Sequence, residues 1–369
     1  MSRKRKIIKW SLIVFVTLIL SLVGFGFWFM SLVKTPADAI VVDIEKTLPQ
    51  DIDYLTKNKP VPVQRGKILA VVTSHGEMGS TEKPTGYELT ELSRAYYVFE
   101  ANGFEVDVAS PLGGKPPVVI DDEDMGLFDY AFLNDPEAKQ KTSNTLAMAE
   151  VNPDEYEAVY FVGGKGAMWD FPENKHIQSI VSQYYESGKV VSAVCHGPAA
   201  LVNVTLSDGS SLLKDKKVSS FTNSEELFLI KDAASIFPFL LQDKLEEQGA
   251  IFNEGNMYLE NVSHDGNLVT GQNPWSTWTM AETVIKQLGY EPKKREKTEE
   301  ENAVQVLLTF EHQGYGEAKK KITNLITVEN KPINRELIGI HGILAVMQWD
   351  IGKFANMVGL LWHVKWVTD

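Results

Sequence analysis

Cys195 is the only cysteine of the chain, and it directly follows the apolar run 190–194. The β-branched residues of this run predict a buried strand, and Pro198 is tolerated in the first turn of a following helix. A sharp strand-to-helix turn that presents a nucleophile is a nucleophile elbow. A helix N-terminus favours a thiolate, so we expect a lowered pKa and a nucleophilic role for Cys195. An unreactive buried cysteine is the alternative.

A glycine pair, Gly163 and Gly164, ends another apolar run and precedes Lys165. Glycines let backbone N–H groups approach an oxyanion, although plain turn glycines are the alternative. The segment is too short for a phosphate-binding loop, and no pair of histidines or cysteines has the spacing of metal ligands. The sequence therefore predicts neither a cofactor nor a metal.

Alternating strand and helix patterns surround these residues. The order strand, helix, strand is typical of a βαβ unit, so we predict a doubly wound, flavodoxin-like or Rossmann-like α/β domain with a mostly parallel sheet. Shorter strands are expected near Val218, Tyr258 and Leu268. The main predicted strands are 67–74, 105–110, 158–162 and 190–194, and the predicted helices are 88–102, 175–186, 225–231, 238–248, 274–288 and one beginning at 196.

The N-terminus predicts a membrane anchor. Basic residues at positions 3–6 and 9 precede the uncharged run 10–33. As a helix this run would span about 36 Å, enough to cross a hydrocarbon core of ~30 Å. The basic flank predicts a cytoplasmic N-terminus and an extracytoplasmic remainder. A cleaved signal peptide is the alternative, although its apolar region is usually only about 7 to 15 residues long.

Composition limits the partners. The chain has 369 residues, of which 44% are hydrophobic and 23% charged, as is ordinary for a globular protein. Its length predicts one large domain with appendages. A formal net charge of −13 argues against nucleic acid, because phosphate binding needs a basic surface.

The segments after the anchor differ in composition. The C-terminal extension contains a predicted strand at 304–310 and a largely apolar stretch at 336–367. This stretch predicts either an interfacial helix pair anchored by Trp349, Trp362 and Trp366 or a surface that packs on a neighbour or on the main domain. The predicted organisation is a transmembrane signal-anchor (1–34), a spacer (35–65), the α/β domain (66–290), a charged linker (291–303) and the extension (304–369).

Four segments, at 85–114, 159–174, 193–201 and 219–226, together resemble the PfpI-type, glutamine-amidotransferase-like superfamily. More narrowly they are similar to its branch of heat-shock chaperones and glutathione-independent glyoxalases of the glyoxalase III type. The resemblance covers about residues 66–290 and implies the α/β fold described above.

The resemblance also implies roles at matching positions. Cys195 matches the nucleophile and His196 the histidine beside it. Glu91 matches an acid that contacts the cysteine sulfur, and Glu226 matches the residue that orients the histidine, with Glu225 as the alternative. The backbone amides of Gly164 and His196 match the oxyanion hole.

Three positions depart from the pattern. Lys165 stands where the branch often has histidine, Arg94 and Ala95 replace a frequent His-Pro, and Trp275 is bulkier than expected. These departures leave the substrate open. The residues predicted to bind the substrate or its oxyanion are Gly163, Gly164, Lys165, Trp169, Asn273 and Trp275.

We therefore expect a cofactor-free enzyme that converts a 2-oxoaldehyde such as methylglyoxal to a 2-hydroxy acid. One alternative is a cysteine peptidase, amidase or deglycase that uses Cys195, His196 and Glu226 as a triad. Another is a stress-related chaperone or redox sensor whose cysteine is oxidised rather than catalytic. A homodimer is a further expectation.

Overall fold

A computed structural model of the protein describes residues 3–34, 44–56, 65–121 and 125–368. The chain forms two compact units, one made of residues 1–41 and 297–369 and the other of residues 42–296. Parts of the predicted spacer, residues 35–43 and 57–64, lie outside the described residues, as do the side chains of the predicted basic flank. The predicted domain limits stay predictions.

Twelve α-helices of seven or more residues occur in the described residues. In chain order they are α1 (Arg3–Val33), α2 (Leu89–Ala101), α3 (Leu127–Asn134), α4 (Pro136–Ser143), α5 (Lys175–Ser187), α6 (Asn223–Leu229), α7 (Leu241–Glu247), α8 (Thr277–Gln287), α9 (Glu299–Gln313), α10 (Tyr315–Thr327), α11 (Arg335–Met347) and α12 (Ile351–Thr368).

A seven-stranded sheet forms the centre of the larger unit. Its strands are β1 (Lys67–Val71), β2 (Glu105–Ser110), β3 (Leu146–Ala147), β4 (Ala158–Phe161), β5 (Val190–Val194), β6 (Val262–Asp265) and β7 (Leu268–Gly271). They lie in the order β6-β7-β5-β4-β1-β2-β3, and every neighbouring pair is parallel except β6 and β7. The predicted α/β fold with a mostly parallel sheet flanked by helices is confirmed.

The central strands are apolar throughout because helices cover them. The residues of β4 and β5 are buried along their whole length, as expected for parallel strands covered on both faces. Two short parallel pairs lie outside the main sheet, Tyr87–Glu88 with Val118–Val119 and Lys217–Val218 with Ile251–Phe252. Since parallel strands share one carboxyl edge, the ends of β1, β4, β5 and β7 bring their loops together.

Three predicted elements are wrong. Residues 304–310 belong to helix α9, because Thr298 and Glu301 form a capping box that starts a helix there. Tyr258 lies in a turn with φ 54° rather than in a strand. The predicted helix after Cys195 is a five-residue 3-10 helix, Gly197–Leu201.

The smaller unit consists of α1 and α9 to α12. The C-terminal end of α1 is buried in this unit at Phe29, Leu32 and Val33. Among the described residues, one helical segment, Ile13–Val33, is long and apolar enough to cross a membrane by its length and composition.

Candidate active site

Cys195 stands at the turn between β5 and the 3-10 helix that follows it. Its φ is 58°, a left-handed backbone conformation that is uncommon for a residue with a side chain. Its N–H donates to the carbonyl of Gly271 at 2.9 Å, and its carbonyl accepts from the N–H of Phe221 at 2.9 Å. These bonds to two neighbouring segments hold the strained turn, so the predicted elbow geometry is present.

The elbow places the cysteine next to a histidine and a carboxylate. Cys195 Sγ lies 3.3 Å from His196 Nδ1, and His196 Nε2 lies 2.5 Å from Glu226 Oε2. Glu226 belongs to the first turn of α6. The three side chains form a row in which the carboxylate can fix the tautomer of the imidazole and stabilise its protonated form.

Glu225 has a different task. Its carboxylate closes the capping box of α6 by accepting from Thr222 N, and it accepts from Tyr258 N at 2.7 Å. The side-chain amides of Gln272 and Asn273 also donate to it at 3.0 Å. The structure therefore assigns the histidine contact to Glu226 and the anchoring of the surrounding loops to Glu225.

Asn273 makes its hydrogen bonds within the surrounding loops. It is fully buried, and its amide nitrogen donates to Glu225 and to the carbonyl of Leu259 at 2.8 Å. Its side-chain oxygen accepts from Ser276 Oγ at 3.1 Å. The predicted role of Asn273 in the pocket stays a prediction, and its polar atoms already have partners within the surrounding loops.

Glu91 lies on the first turn of α2 and is fully buried. Its Oε2 accepts from Gly163 N at 2.8 Å, while Tyr160 donates its hydroxyl to the Glu91 carbonyl at 2.7 Å. Oε1 of Glu91 has no hydrogen-bond partner among the described residues. A Cβ on Gly163 would collide with Glu91 Oε2 and lie 2.8 Å from Cys195 Cβ, so only glycine fits between the carboxyl and the cysteine.

The electrostatics of this pair differ from the expectation. Burial raises the pKa of Glu91 well above its ordinary value, and Glu88 adds to the shift. Burial also raises the pKa of Cys195, and repulsion from Glu91 raises it further. The predicted lowering of the cysteine pKa is therefore wrong, because desolvation and a neighbouring carboxylate outweigh a short 3-10 helix. Two acidic groups buried next to each other favour the ionisation state in which the pair as a whole carries one negative charge.

Glu226 behaves in the opposite way. Burial disfavours its ionised form, but the charge and hydrogen bond of His196 outweigh this cost and lower the pKa of Glu226. A carboxylate that stays ionised beside an imidazole is suited to stabilise an imidazolium during proton transfer.

Gly164 has a backbone conformation that favours glycine. Its φ is 98°, and a Cβ there would lie 2.7 Å from both Tyr87 Cα and Glu88 N. Within the described ranges, neither the Gly164 amide nor the His196 amide donates to another protein group. Both N–H groups thus remain available for an oxyanion, as the resemblance implies.

Lys165 contributes a positive charge near Cys195, Glu91 and Glu226. Its side chain is half-buried, and it makes no ion pair or hydrogen bond with any described residue. Its charge partly offsets the effects of burial on the pKa values of Cys195, Glu91 and Glu226. Lys165 therefore lies close enough to act on all three acidic groups.

Aromatic rings form the wall beside the histidine. The rings of Phe221 and Phe237 lie 4.8 Å and 6.3 Å from that of His196. Trp169 packs on Phe237 at 5.2 Å, whereas Trp275 contacts Tyr258 at 5.9 Å. Trp169 and Trp275 thus contact other aromatic rings of this region rather than the His196 ring itself. Phe221 and Phe237 were missed from the sequence, because an apolar residue type carries no chemical signal.

Comparison with known proteins matches residues 83–287 to the DJ-1/PfpI family. Glyoxalase 3 of Candida albicans is 32% identical over 231 residues, covering 59% of this chain and 97% of that protein. A glutathione-independent glyoxalase of Saccharomyces cerevisiae is 30% identical over 58% of this chain and 94% of its own length.

Two solved structures are similar in both sequence and fold. Rapid Encystment Protein 24 KDa of Francisella tularensis has 36% identity and a TM-score of 0.57, over 60% of this chain and 99% of that one. Glyoxalase III of Candida albicans has 28% identity and a TM-score of 0.55, over 61% and 98%. The protein described here belongs to the DJ-1/PfpI family.

Proposed function

We propose that the protein converts a 2-oxoaldehyde such as methylglyoxal to the corresponding 2-hydroxy acid without glutathione. The observation that carries the proposal is the buried Glu91 carboxyl beside Cys195, held by the Gly163 amide at 2.8 Å. A cysteine hydrolase needs the row of Cys195, His196 and Glu226, whereas an isomerisation between two carbons needs an additional acid or base. The glyoxalase names of the curated relatives agree with this choice.

The first step is addition of the thiolate to the aldehyde carbon. The raised pKa of Glu91 suits its carboxylate to take the thiol proton as Cys195 attacks, so the carboxyl holds that proton while the negative charge moves onto the substrate oxygen. The new C–S bond turns the aldehyde oxygen into an oxyanion, which the amides of Gly164 and His196 can stabilise by roughly 3 to 4 kcal/mol per donor. Protonation of that oxyanion gives a hemithioacetal.

The second step moves hydrogen from the first carbon to the second. A base, Glu91 or His196, removes the proton from the former aldehyde carbon, and an enediol forms. Return of a proton to the former ketone carbon gives a thioester of the 2-hydroxy acid. Water then releases the acid and restores Cys195, so the overall change is the addition of one water molecule.

The test is lactate formation from methylglyoxal by the full chain in detergent, without glutathione. Cys195→Ala and Glu91→Gln should both reduce the rate to background. Glu137→Gln, which changes an exposed carboxylate on α4, is the control and should keep the wild-type rate. A folded wild-type protein that forms no lactate would overturn the proposal.

Hydrolysis is a second candidate, supported by the short contacts from Cys195 to His196 and from His196 to Glu226. It predicts release of a chromophore from ester or peptide substrates that survives Glu91→Gln but not Cys195→Ala. Lactate formation that depends on Glu91 would speak against it.

We also propose that α1 anchors the protein in a membrane and that the catalytic unit faces away from the cytoplasm. The apolar run Ile13–Val33 supports the span, and the basic residues before it support the orientation. Retention of the full chain in membranes after alkaline carbonate washing tests the span, and release into the wash would contradict it.

A further inference from the structure

The turn between α11 and α12 exposes a cluster of large apolar side chains. This hairpin tip consists of Ile343, Val346, Met347, Trp349 and Ile351, all of them exposed, and Trp349 is 88% exposed. Scattered single apolar residues on a surface are ordinary, but a contiguous group marks a contact with a protein or a membrane.

The tip belongs to the same helical unit as the apolar helix α1. Phe354 of α12 contacts Phe25 and Phe29 of α1, with ring centroids 6.2 Å and 5.9 Å apart. Trp28 of α1 packs against Trp362 at 6.2 Å. The exposed apolar surface of the hairpin is therefore continuous with the helix proposed to cross the bilayer.

The contacts along α1 show which way the tip points. A Cβ on Gly339 would lie 2.8 Å from Val33 Cγ2, whereas one on Gly342 would lie 3.8 Å from the ring of Phe29. As α11 advances toward the tip, its partners on α1 move toward the N-terminus. The contacts of Phe354 lie four to eight residues before Val33, about 6 to 12 Å along the helix axis, and the tip lies further on.

Charged groups are at the opposite end of the hairpin. Arg335, at the start of α11, donates to the carbonyl of Leu32, and Lys365, near the end of α12, donates to that of Ser31, both at 3.4 Å. Both contacts are within three residues of Lys34, where the apolar run of α1 ends. Cations at this level and apolar residues beyond it match the change from headgroups to hydrocarbon.

Two charged residues of the hairpin itself lie nearer the tip, and each has a partner. Lys353 pairs with Glu311 of α9 at 2.6 Å. Asp350 caps α12 by accepting from Lys353 N at 2.8 Å, which offsets part of the cost of removing the carboxylate from water.

We propose that the hairpin tip inserts into the leaflet adjoining Lys34, alongside α1, so that the ligand of this surface is the lipid of the same bilayer. The proposal rests on the membrane anchoring proposed for α1 and is independent of the catalytic activity. It makes the C-terminal extension a second, non-spanning membrane contact.

The test uses the full chain in phosphatidylcholine vesicles, with and without bromine on the acyl chains. In a Cys195→Ala background, Trp349→Cys, Leu20→Cys and Val328→Cys each receive one environment-sensitive fluorophore. Leu20 reports α1, being 66% exposed within it. Val328 is the matched control, because it is apolar and 75% exposed but lies away from the tip. It follows the end of α10, where Thr323 bonds to His363 near the Lys365 end of α12.

We expect brominated lipid to quench the labels at positions 20 and 349 and to leave the label at 328 unquenched. Quenching at 20 without quenching at 349 overturns the hairpin proposal and leaves the anchor standing. Loss of quenching at both positions overturns the anchor and the hairpin together. Equal quenching at 349 and 328 also overturns the proposal, because lipid contact would then not be confined to the tip.

Discussion

Glu91 and Cys195 are two buried acidic groups that approach each other across Gly163. Because there is no space for a side chain at Gly163, the two groups are close, and water screens the charge of each from the other only weakly. The pKa of the cysteine therefore depends on a carboxyl contributed by another element, and the proton of the pair is available to a bound substrate.

Glu91→Gln should lower the pH at which Cys195 becomes reactive. Ionised Glu91 disfavours the thiolate and raises the cysteine pKa, so a neutral glutamine removes that repulsion and lets the thiolate form at lower pH. The measurement is the rate of alkylation by iodoacetamide across pH for both proteins. Glu88→Gln, which removes a weaker repulsive charge, should shift the midpoint less in the same direction. A midpoint that stays or rises with Glu91→Gln would contradict this account.

Glu226→Gln and Glu225→Gln should separate catalysis from stability. Loss of the carboxylate beside His196 should reduce kcat/KM for methylglyoxal by roughly 10²- to 10⁴-fold, with little change in melting temperature. Glu225→Gln should instead cost about 1 to 3 kcal/mol of unfolding free energy, because Tyr258 N or Thr222 N loses a charged acceptor. Steady-state kinetics and denaturant melts of both variants provide the comparison, and the reverse pattern would refute the assignment.

At the scale of elements, the site depends on tight turns at the carboxyl ends of β4 and β5. The first turn holds Gly163 and Gly164, and the second holds Cys195 in a left-handed conformation. The chain packs so closely here that a Cβ on Gly164 would lie 2.7 Å from the backbone of the Tyr87–Glu88 segment. The turn therefore fixes the position of the Gly164 amide relative to the cysteine.

Gly164→Ala should damage both stability and turnover, whereas Gly188→Ala should affect stability alone. Gly188 has φ 78° at the end of α5, and a Cβ there would meet nothing within 4 Å. Gly188→Ala should therefore lower the free energy of unfolding only by the left-handed backbone strain, about 1 to 2 kcal/mol. Gly164→Ala adds a steric clash and displaces an oxyanion donor. Melting curves and methylglyoxal kinetics test the pair, and equal effects of the two substitutions would show that close packing at Gly164 is unimportant.

At the scale of the whole molecule, the chain combines an α/β unit of the DJ-1/PfpI family with a helical unit that contains its apolar N-terminal helix. The curated relatives and solved structures quoted above cover about 60% of the chain. The segment that matches the family, residues 83–287, lies within the α/β unit, so the family match does not extend to the helical unit.

A cysteine at position 112 should be labelled from outside the cytoplasm. Leu112 is exposed in the α/β unit, so Leu112→Cys in a Cys195→Ala background offers one accessible thiol. Sealed right-side-out membrane vesicles should react with an impermeant maleimide before detergent is added. The same variant in inside-out vesicles is the control and should react with the maleimide only after detergent is added. The opposite result would reverse the proposed orientation.

The sequence by itself determined the order of the main elements and the position of the elbow. Apolar β-branched runs, helical periodicity and the residues around Cys195 are local signals, so they predicted β1, β2, β4 and β5 closely. The family resemblance, which rests on four such local segments, predicted that Glu91 and His196 lie beside the cysteine. The apolar pattern at 304–310 predicted a strand, but these residues form part of a helix that the preceding capping box starts.

Only the tertiary structure decided which glutamate meets the histidine. Glu225 and Glu226 are adjacent on one helix and point about 100° apart, so packing alone determines that Glu226 meets His196. The direction of the Cys195 pKa shift and the internal use of Asn273 follow from the same cause. Both depend on groups distant in sequence that folding brings together in a buried, weakly screened environment, and no local pattern records that environment.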